Sequence, residues 1–223
     1  MYRVSNIKEN LDIIRNNLKE DVLLCAVTKT HTAMEINEAI DAGVTDIGEN
    51  KVQEILDKYD KVKPVRWHMI GHLQTNKVKY IIDKVDLIHS VDSMKLAKEI
   101  NKRAKQHDKV MDILIQVNSA QEESKFGIST DETKNMIMDI LENCENIRIR
   151  GLMCIAPFAE NPEDVRGYFA EVKKQYDEFG KINHERLDFK YLSMGMSHDY
   201  IVAMQEGANL VRVGSAIFGS RVY

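Results

Sequence analysis

Proline, cysteine and long apolar runs are all scarce in this chain of 223 residues. It has three prolines and three cysteines, and its apolar runs end well short of the roughly 20 residues that cross a bilayer. No CxxC pair occurs, and Cys25 and Cys154 sit in apolar runs typical of strands. The sequence therefore excludes a disulfide scaffold and a membrane-spanning protein, and we expect buried, reduced thiols.

An excess of positive charge is also missing. The formal net charge is -4, which argues against a dominant nucleic-acid partner because phosphate-backbone binding depends on a basic surface. The residues after Met1 form a charged amphipathic stretch without the apolar region of a secretory signal. We therefore expect a soluble, cytoplasmic and monomeric protein with no membrane partner.

What the sequence does contain is a regular alternation of helix and strand patterns. Helical spacing of apolar residues predicts a helix over 4–19, and the apolar run over 22–27 predicts a strand buried on both faces. Further helices are predicted over 32–41, 51–60, 74–83, 93–105, 130–142, 162–179 and 198–206, and further strands over 44–48, 65–70, 85–89, 110–117, 147–153, 187–193 and 209–213. Eight strands favour a single closed (β/α)8 TIM barrel over residues 1–223, although a doubly wound open sheet has the same local pattern.

Barrel chemistry is expected at the C-terminal ends of the strands. Lys29, in AVTKTH, comes just after the first strand. An amine beneath apolar walls loses hydration, which lowers its pKa and favours the neutral nucleophile that forms a Schiff base. A surface lysine of the first loop is the alternative. Lys125 is a rival amine within the loop 118–129, a candidate lid, but its polar surroundings predict a solvated side chain.

Small-residue turns follow the last two predicted strands. They are SMGMS from Ser193 and GSAIFG from Gly214. Loops in these places often bind phosphate in (β/α) barrels, because backbone N–H groups and a helix start point at the anion. The alternative is a pair of ordinary turns with helix N-caps at Ser197 and Ser215.

An amine and a phosphate site across one barrel mouth are what pyridoxal 5'-phosphate (PLP) requires. The first and last strands of a closed barrel are neighbours, so Lys29 is expected opposite the phosphate loops. PLP would then form a Schiff base with Lys29, bind its phosphate at Ser193, Gly214 and Ser215, and place its ring nitrogen near Arg212.

Seven segments, in order along the chain, resemble the YggS/PROSC family of PLP-binding proteins. They are AVTKTH, DIGENKVQE, WHMIGHLQTNK, HSVDS, SKFG, LSMGMSHD and VRVGSAIFG. The resemblance implies a barrel of the alanine racemase N-terminal type, PLP on Lys29 and a role in PLP homeostasis. It adds Met194 to the phosphate surroundings and implies that the Asn50 amide lies near the phenolic oxygen of the ring, with an N-cap as the alternative. Arg212, a cation at the ring nitrogen, would weaken the ring as an electron sink.

Two histidines four residues apart, His68 and His72, invite a metal interpretation. Gly71 interrupts the segment and no further ligands cluster nearby, so we expect no metal site. His72 follows the third strand and is expected at the periphery of the cofactor site at most.

The leading hypothesis is a PLP-binding protein of intracellular PLP homeostasis that holds the cofactor without robust catalysis, with PLP-dependent apo-enzymes as candidate partners. Enzymes similar to alanine racemase place a tyrosine acid/base on a C-terminal β-domain, whereas this chain ends at Tyr223, after the barrel. A PLP-dependent amino-acid racemase is the main alternative. An aldolase-type lysine for a phosphorylated sugar is a third, which leaves Arg212 and Asn50 without roles.

Overall fold

Eight parallel strands close into a barrel. The computed structural model describes residues 6–120 and 126–219. The barrel strands are β1 Leu23–Val27, β2 Asp46–Glu49, β3 Arg66–Met69, β4 Leu87–Val91, β5 Met111–Asn118, β7 Ile147–Cys154, β8 Leu187–Met196 and β9 Leu210–Val213. Their spatial order is β4-β3-β2-β1-β9-β8-β7-β5, and pairing of β4 with β5 closes the ring. The closed (β/α)8 barrel is thus confirmed against the open sheet.

One short strand was not predicted. The two-residue strand β6, Ile128–Ser129, pairs with the end of β5, at Val117 and Asn118. It lies in the long loop expected over 118–129. The centre of that loop, including Lys125, is outside the described residues, so the lid remains a prediction.

Helices fill most of the predicted connections. They are α1 Ile7–Asn17, α2 Ala33–Asp41, α3 Val52–Lys58, α4 Met94–Gln106, α5 Thr133–Asn143, α6 Arg166–Phe179, α7 Tyr200–Gln205 and α8 Ser215–Phe218, with 3-10 helices at Tyr59–Lys61, Thr75–Tyr80 and Pro162–Val165. In the described parts of the chain, no helix has the length and apolarity to cross a membrane.

The helix predicted over 74–83 is wrong in type and length, because only Thr75–Tyr80 is helical and its turns are of the tighter 3-10 kind. The preceding residue, Gln74, provides no side-chain cap, so the first N–H groups lack the partner that favours a regular α-helix start. By contrast, Thr32 and Glu35 form a reciprocal capping box at the start of α2.

Strand alternation divides the buried side chains into two layers. In β1, Cys25 and Val27 point into the barrel, whereas Ala26 packs against the surrounding helices. The interior also holds polar side chains, which bond to one another. The three cysteines are buried and free, which confirms the expectation from the sequence: Cys25, Cys144 and Cys154.

Candidate functional site

The loop after β1 holds Lys29 in a fixed backbone setting. Lys29 is half-buried and lies two residues beyond the end of the strand. On one side, the Thr28 carbonyl accepts a hydrogen bond from Lys58 Nζ at 2.9 Å. On the other side, the Thr30 N–H donates to Glu54 Oε2 at 2.6 Å, and Thr30 has a φ of 69°. Two residues of α3 therefore clamp the chain on either side of the predicted Schiff-base lysine.

The clamp depends on a buried carboxylate, Glu49, whose side chain is 0% exposed. Glu49 Oε1 accepts from Lys58 Nζ at 2.7 Å and from Thr28 Oγ1 at 2.7 Å. Burial raises the pKa of Glu49, and the bonds from Lys58 and Thr28 offset this only in part. The Glu54 carboxylate also binds Lys58 Nζ, at 2.8 Å. Sequence reasoning missed this cluster, although Glu54 and Lys58 have the i,i+4 spacing of a helical ion pair.

The last barrel strand brings the predicted phosphate loops beside β1. In the pairing of β1 with β9, Cys25 lies opposite Arg212. A Cβ on Gly214 would lie 3.2 Å from the Val27 carbonyl oxygen, so the absence of a side chain lets the loop after β9 approach the end of β1. Lys29 and Gly214 thus leave the same end of two neighbouring strands.

The loops after β8 and β9 are joined by Ser197. Its hydroxyl oxygen accepts hydrogen bonds from the N–H groups of Gly214, at 3.2 Å, and Ala216, at 3.5 Å. Ser215 is exposed at the start of α8. The sequence offered Ser197 either as the end of the SMGMS turn or as a helix N-cap. The N-cap interpretation is wrong, because the N-cap of α7 is Asp199.

Ser193 and Met194 turn their side chains away from this surface. Ser193 is fully buried, and its hydroxyl contacts Arg212 Nη1 at 2.5 Å and His89 Nδ1 at 3.0 Å. The Met194 side chain is fully buried in the outer core, among residues that pack against the helices. Any phosphate contact from this pair therefore rests on the main chain, and it stays a prediction.

Arg212 is a buried cation held by the ends of two strands. Its side chain donates from Nη1 to the Ser193 carbonyl at 2.8 Å and from Nη2 to the Cys154 carbonyl at 2.9 Å. Burial lowers the pKa of Arg212, yet a guanidinium stays protonated in proteins. With the bond to the Ser193 hydroxyl, these contacts use three of its five N–H groups.

Asn50 lies directly after β2 and is half-buried. The N-cap of α3 is Lys51, and it makes no side-chain cap, so the N-cap alternative for Asn50 is wrong. A Cβ on Gly71 would lie 2.3 Å from the Asn50 carbonyl oxygen. The glycine in WHMIGHLQTNK therefore lets the loop after β3 pack directly on Asn50.

The two histidines four residues apart occupy different environments. His68 is fully buried inside the barrel. His72 is exposed on the rim, where its ring stacks on Phe126 at 3.9 Å and its Nδ1 lies 3.8 Å from Asp92 Oδ2. Among the described residues, no group of three His, Cys, Asp or Glu side chains is placed to hold a metal ion.

These features suit a phosphorylated aldehyde. The Ser197 hydroxyl already accepts two N–H groups from the loop after β9, which shows that this loop directs donors towards an oxygen. A half-buried amine follows the neighbouring strand, and the buried guanidinium of Arg212, two residues before Gly214 on β9, has N–H groups beyond those bonded to Ser193 and Cys154. The residues present therefore fit PLP.

Comparison with known proteins agrees with this geometry. The family "Alanine racemase, N-terminal domain" matches residues 3–222. A pyridoxal phosphate homeostasis protein of Aquifex aeolicus is 46% identical over 202 residues, which are 90% of this chain and 87% of that protein. Its Escherichia coli counterpart is 35% identical and covers 99% of both chains. The structure of PipY from Synechococcus elongatus, solved with PLP bound, has a TM-score of 0.87 and 33% identity, covering 96% of this chain and 100% of its own.

Proposed function

This chain belongs to the YggS/PROSC family of pyridoxal phosphate homeostasis proteins, and from that premise we propose that it holds PLP on Lys29 as a cofactor reserve, without robust catalysis. The observation that carries the proposal is the clamped Lys29 loop beside the loop of Gly214, at the same end of two paired strands. PLP is the cofactor, and PLP homeostasis is the cellular process.

Each residue has a role set by its chemistry. PLP supplies an aldehyde that condenses with a neutral amine, and Lys29 provides that amine. The phosphate binds at Gly214 and Ser215, where the Ser215 N–H donates to it and the Gly214 N–H exchanges the Ser197 hydroxyl oxygen for a phosphate oxygen, with the main chain of Ser193 and Met194 beside them. The remaining N–H groups of Arg212 donate to the ring nitrogen. The Asn50 amide donates to the phenolic oxygen.

Arg212 favours holding over turnover. A guanidinium donates and cannot accept, so it stabilises an unprotonated ring nitrogen. An unprotonated ring withdraws electrons weakly, which disfavours carbanion chemistry on a bound amino acid. We also propose that the protein is a cytoplasmic monomer that passes PLP to PLP-dependent apo-enzymes. Cell fractionation, sedimentation and the activation of a PLP-free aminotransferase test these three points.

The deciding experiment is capture of PLP on one lysine. The purified protein is loaded with PLP, its visible spectrum is recorded, and the complex is reduced with borohydride before peptide mass spectrometry. We expect a yellow protein with the pyridoxyl group on Lys29, a colourless Lys29→Ala variant, and an unchanged Lys102→Ala control, since Lys102 is exposed on α4. A protein that never takes up PLP, or an equally labelled Lys29→Ala, overturns the proposal.

Turnover separates holding from the racemase alternative. The loaded protein is incubated with D- and L-amino acids, and the enantiomeric ratio is followed. Sustained interconversion at ordinary enzyme rates, roughly 1 per second or faster, contradicts a holding function and supports a racemase.

A further inference from the structure

A chain of hydrogen bonds crosses the barrel interior and ends on Arg212. Arg212 Nη1 contacts Ser193 Oγ at 2.5 Å, and Ser193 Oγ lies 3.0 Å from His89 Nδ1. His89 Nε2 lies 2.9 Å from His68 Nδ1, and His68 Nε2 lies 2.9 Å from Asp46 Oδ1. All five side chains are buried. We call this set the Asp46–Arg212 chain.

The Asp46–Arg212 chain of hydrogen bonds connects the two mouths of the barrel. Arg212 bonds to the carbonyl of Cys154, the last residue of β7. At the other end, Asp46 Oδ1 lies 3.1 Å from Nε of Arg66, the first residue of β3, whose side chain is 46% exposed. Arg66 Nη2 in turn donates to the Tyr191 hydroxyl at 3.2 Å. The predicted cofactor surface is therefore linked to solvent at the opposite mouth.

The charges at the two ends decide the direction of the hydrogen bonds. Burial favours the protonated form of Asp46, but hydrogen bonds from His68 and Thr45 outweigh it and lower the pKa of Asp46, so the ionised carboxylate accepts a hydrogen bond from the N–H of His68 Nε2. Arg212 only donates, so the Ser193 oxygen accepts from it and the Ser193 hydrogen turns to His89 Nδ1.

The histidine between them completes the order. Burial, together with the positive charge of Arg212, lowers the pKa of His89 well below 6.5, so His89 is neutral and carries one ring hydrogen. With Nδ1 accepting from Ser193, that hydrogen is on Nε2 and is donated to His68 Nδ1. Every donor in the Asp46–Arg212 chain then points from Arg212 towards Asp46.

Burying a row of polar side chains in the barrel interior costs free energy, because each group loses its hydration. The neighbouring interior is apolar, with Leu87, Leu114 and Met153, and well-packed apolar groups are often as stabilising as buried ionic ones. Such a row is tolerated when every member is satisfied, and it then fixes one arrangement of its side chains.

We propose that Asp46, His68 and His89 are positioning residues for Arg212. They keep the Ser193 hydrogen on His89, so that a Ser193 lone pair faces the guanidinium and fixes its plane. This inference rests on the proposed function, in which Arg212 donates to the ring nitrogen of PLP. A change of charge at Asp46 then alters the hydrogen bonding of Arg212, four hydrogen bonds away.

The first test uses the PLP-free protein with ¹⁵N-labelled histidine. Imidazole ¹⁵N spectra at neutral pH are expected to show His68 and His89 with the proton on Nε2. Asp46→Asn keeps an acceptor oxygen but removes the charge, and it is expected to shift the His89 Nδ1 signal as well as both His68 signals. The matched control is Asp112→Asn, at the start of β5, where the carboxylate binds Arg148 Nε at 2.7 Å; neither histidine should respond.

Two outcomes of this test overturn the inference. A His89 that carries its proton on Nδ1 reverses the chain and removes the Ser193 hydrogen from its place. A response to Asp46→Asn that stops at His68 shows separate contacts without transmission. Ser193→Ala provides a second variant from the other end, with a shift expected at His89.

The second test uses protein loaded with PLP labelled with ¹⁵N at the ring. Asp46→Asn and Ser193→Ala are expected to shift the ring-nitrogen signal. In Asp46→Asn, borohydride still captures PLP on Lys29, and Asp112→Asn leaves the ring-nitrogen signal unchanged. An unmoved signal in both variants overturns the positioning role. Failure of the wild type to capture PLP refutes the proposed function instead, and the histidine spectra of the PLP-free protein still decide the direction of the chain.

Discussion

Lys58→Met tests the clamp behind Lys29 most directly. Lys58 is 12% exposed, and its ammonium group binds two carboxylates and a backbone carbonyl. Methionine keeps much of the side-chain volume and removes the charge and the donors. The variant leaves the Glu49 carboxylate, which is 0% exposed, with Thr28 Oγ1 as its remaining hydrogen-bond donor among the described residues.

The expected loss follows from that isolated carboxylate. Removing one partner of a buried ion pair costs about 3–5 kcal/mol, which is a large part of the roughly 5–15 kcal/mol that stabilises a typical domain. The partly exposed contact with Glu54 adds little. We therefore expect the free energy of unfolding to fall by about 3–5 kcal/mol, measured by urea denaturation followed by circular dichroism.

The loss should also depend on pH in a defined direction. Burial already raises the pKa of Glu49 above its usual 4.5. A raised pKa gives stability that is complete below the unfolded-chain value and is lost as pH rises through the folded value. Lys58→Met raises that pKa further, so the deficit of the variant should be larger at about pH 8 than at about pH 5.

A double variant provides the refutation. Lys58→Met combined with Glu49→Gln removes the isolated charge and keeps a group that can bond to Thr28, so we expect it to recover most of the lost stability. A single variant that costs less than about 1 kcal/mol, or a double variant no more stable than the single one, would refute the argument from a buried, unpaired carboxylate.

Three further predictions concern packing, acid stability and thiols. Gly71→Ala places a Cβ 2.3 Å from the Asn50 carbonyl oxygen and should lower the melting temperature by several degrees. As a control, Gly167→Ala at an exposed position of α6, where a Cβ would meet nothing within 4 Å, should raise the free energy of unfolding by about 0.5–1 kcal/mol. Equal effects of the two substitutions would contradict the close approach at Gly71. The pKa of Asp46 is lowered, so its stabilisation is lost as pH falls, and the difference in unfolding free energy between wild type and Asp46→Asn should shrink from about pH 7 to about pH 3. A thiol reagent should label no cysteine in the native protein and all three after unfolding, since burial raises the pKa of Cys154 to about 12 and each thiol is inaccessible: Cys25, Cys144 and Cys154.

The barrel was predictable because each of its eight strands has a local apolar pattern in the sequence. The apolar run 22–27 alone indicates a strand of a parallel sheet, and in the structure its second half, residues 25–27, is buried on both faces while residues 22–24 are half-buried. Strand ends were less certain. The strand predicted over 187–193 continues to Met196, which pairs with Arg212 of β9 after a register shift beyond Ser193. Within this extension Gly195 has a φ of 88°, a conformation that local apolar patterning does not reveal.

The polar contacts between distant parts of the sequence have no local pattern that would predict them. Asp46, His68, His89, Ser193 and Arg212 belong to five different strands, and each alone resembles an ordinary buried or turn residue. Barrel closure, not sequence spacing, brings them together. The same holds for the backbone around Lys29, since the bonds that fix it come from Lys58 and Glu54 of α3; the cofactor role of Lys29 stays a prediction.

Strand β2 contacts the supports of two predicted cofactor residues, Lys29 and Arg212, from one short segment. Alternation along the strand turns Asp46 into the barrel, where it ends the chain to Arg212, and turns Glu49 outwards, where it holds Lys58 and the Lys29 loop. Between them, a Cβ on Gly48 would lie 2.8 Å from Cys25 Sγ, so a side chain there would push β2 away from β1. A shift of one residue in this strand would exchange the two faces. The four residues DIGE therefore support both the loop that holds the amine and the row of side chains that ends on the guanidinium.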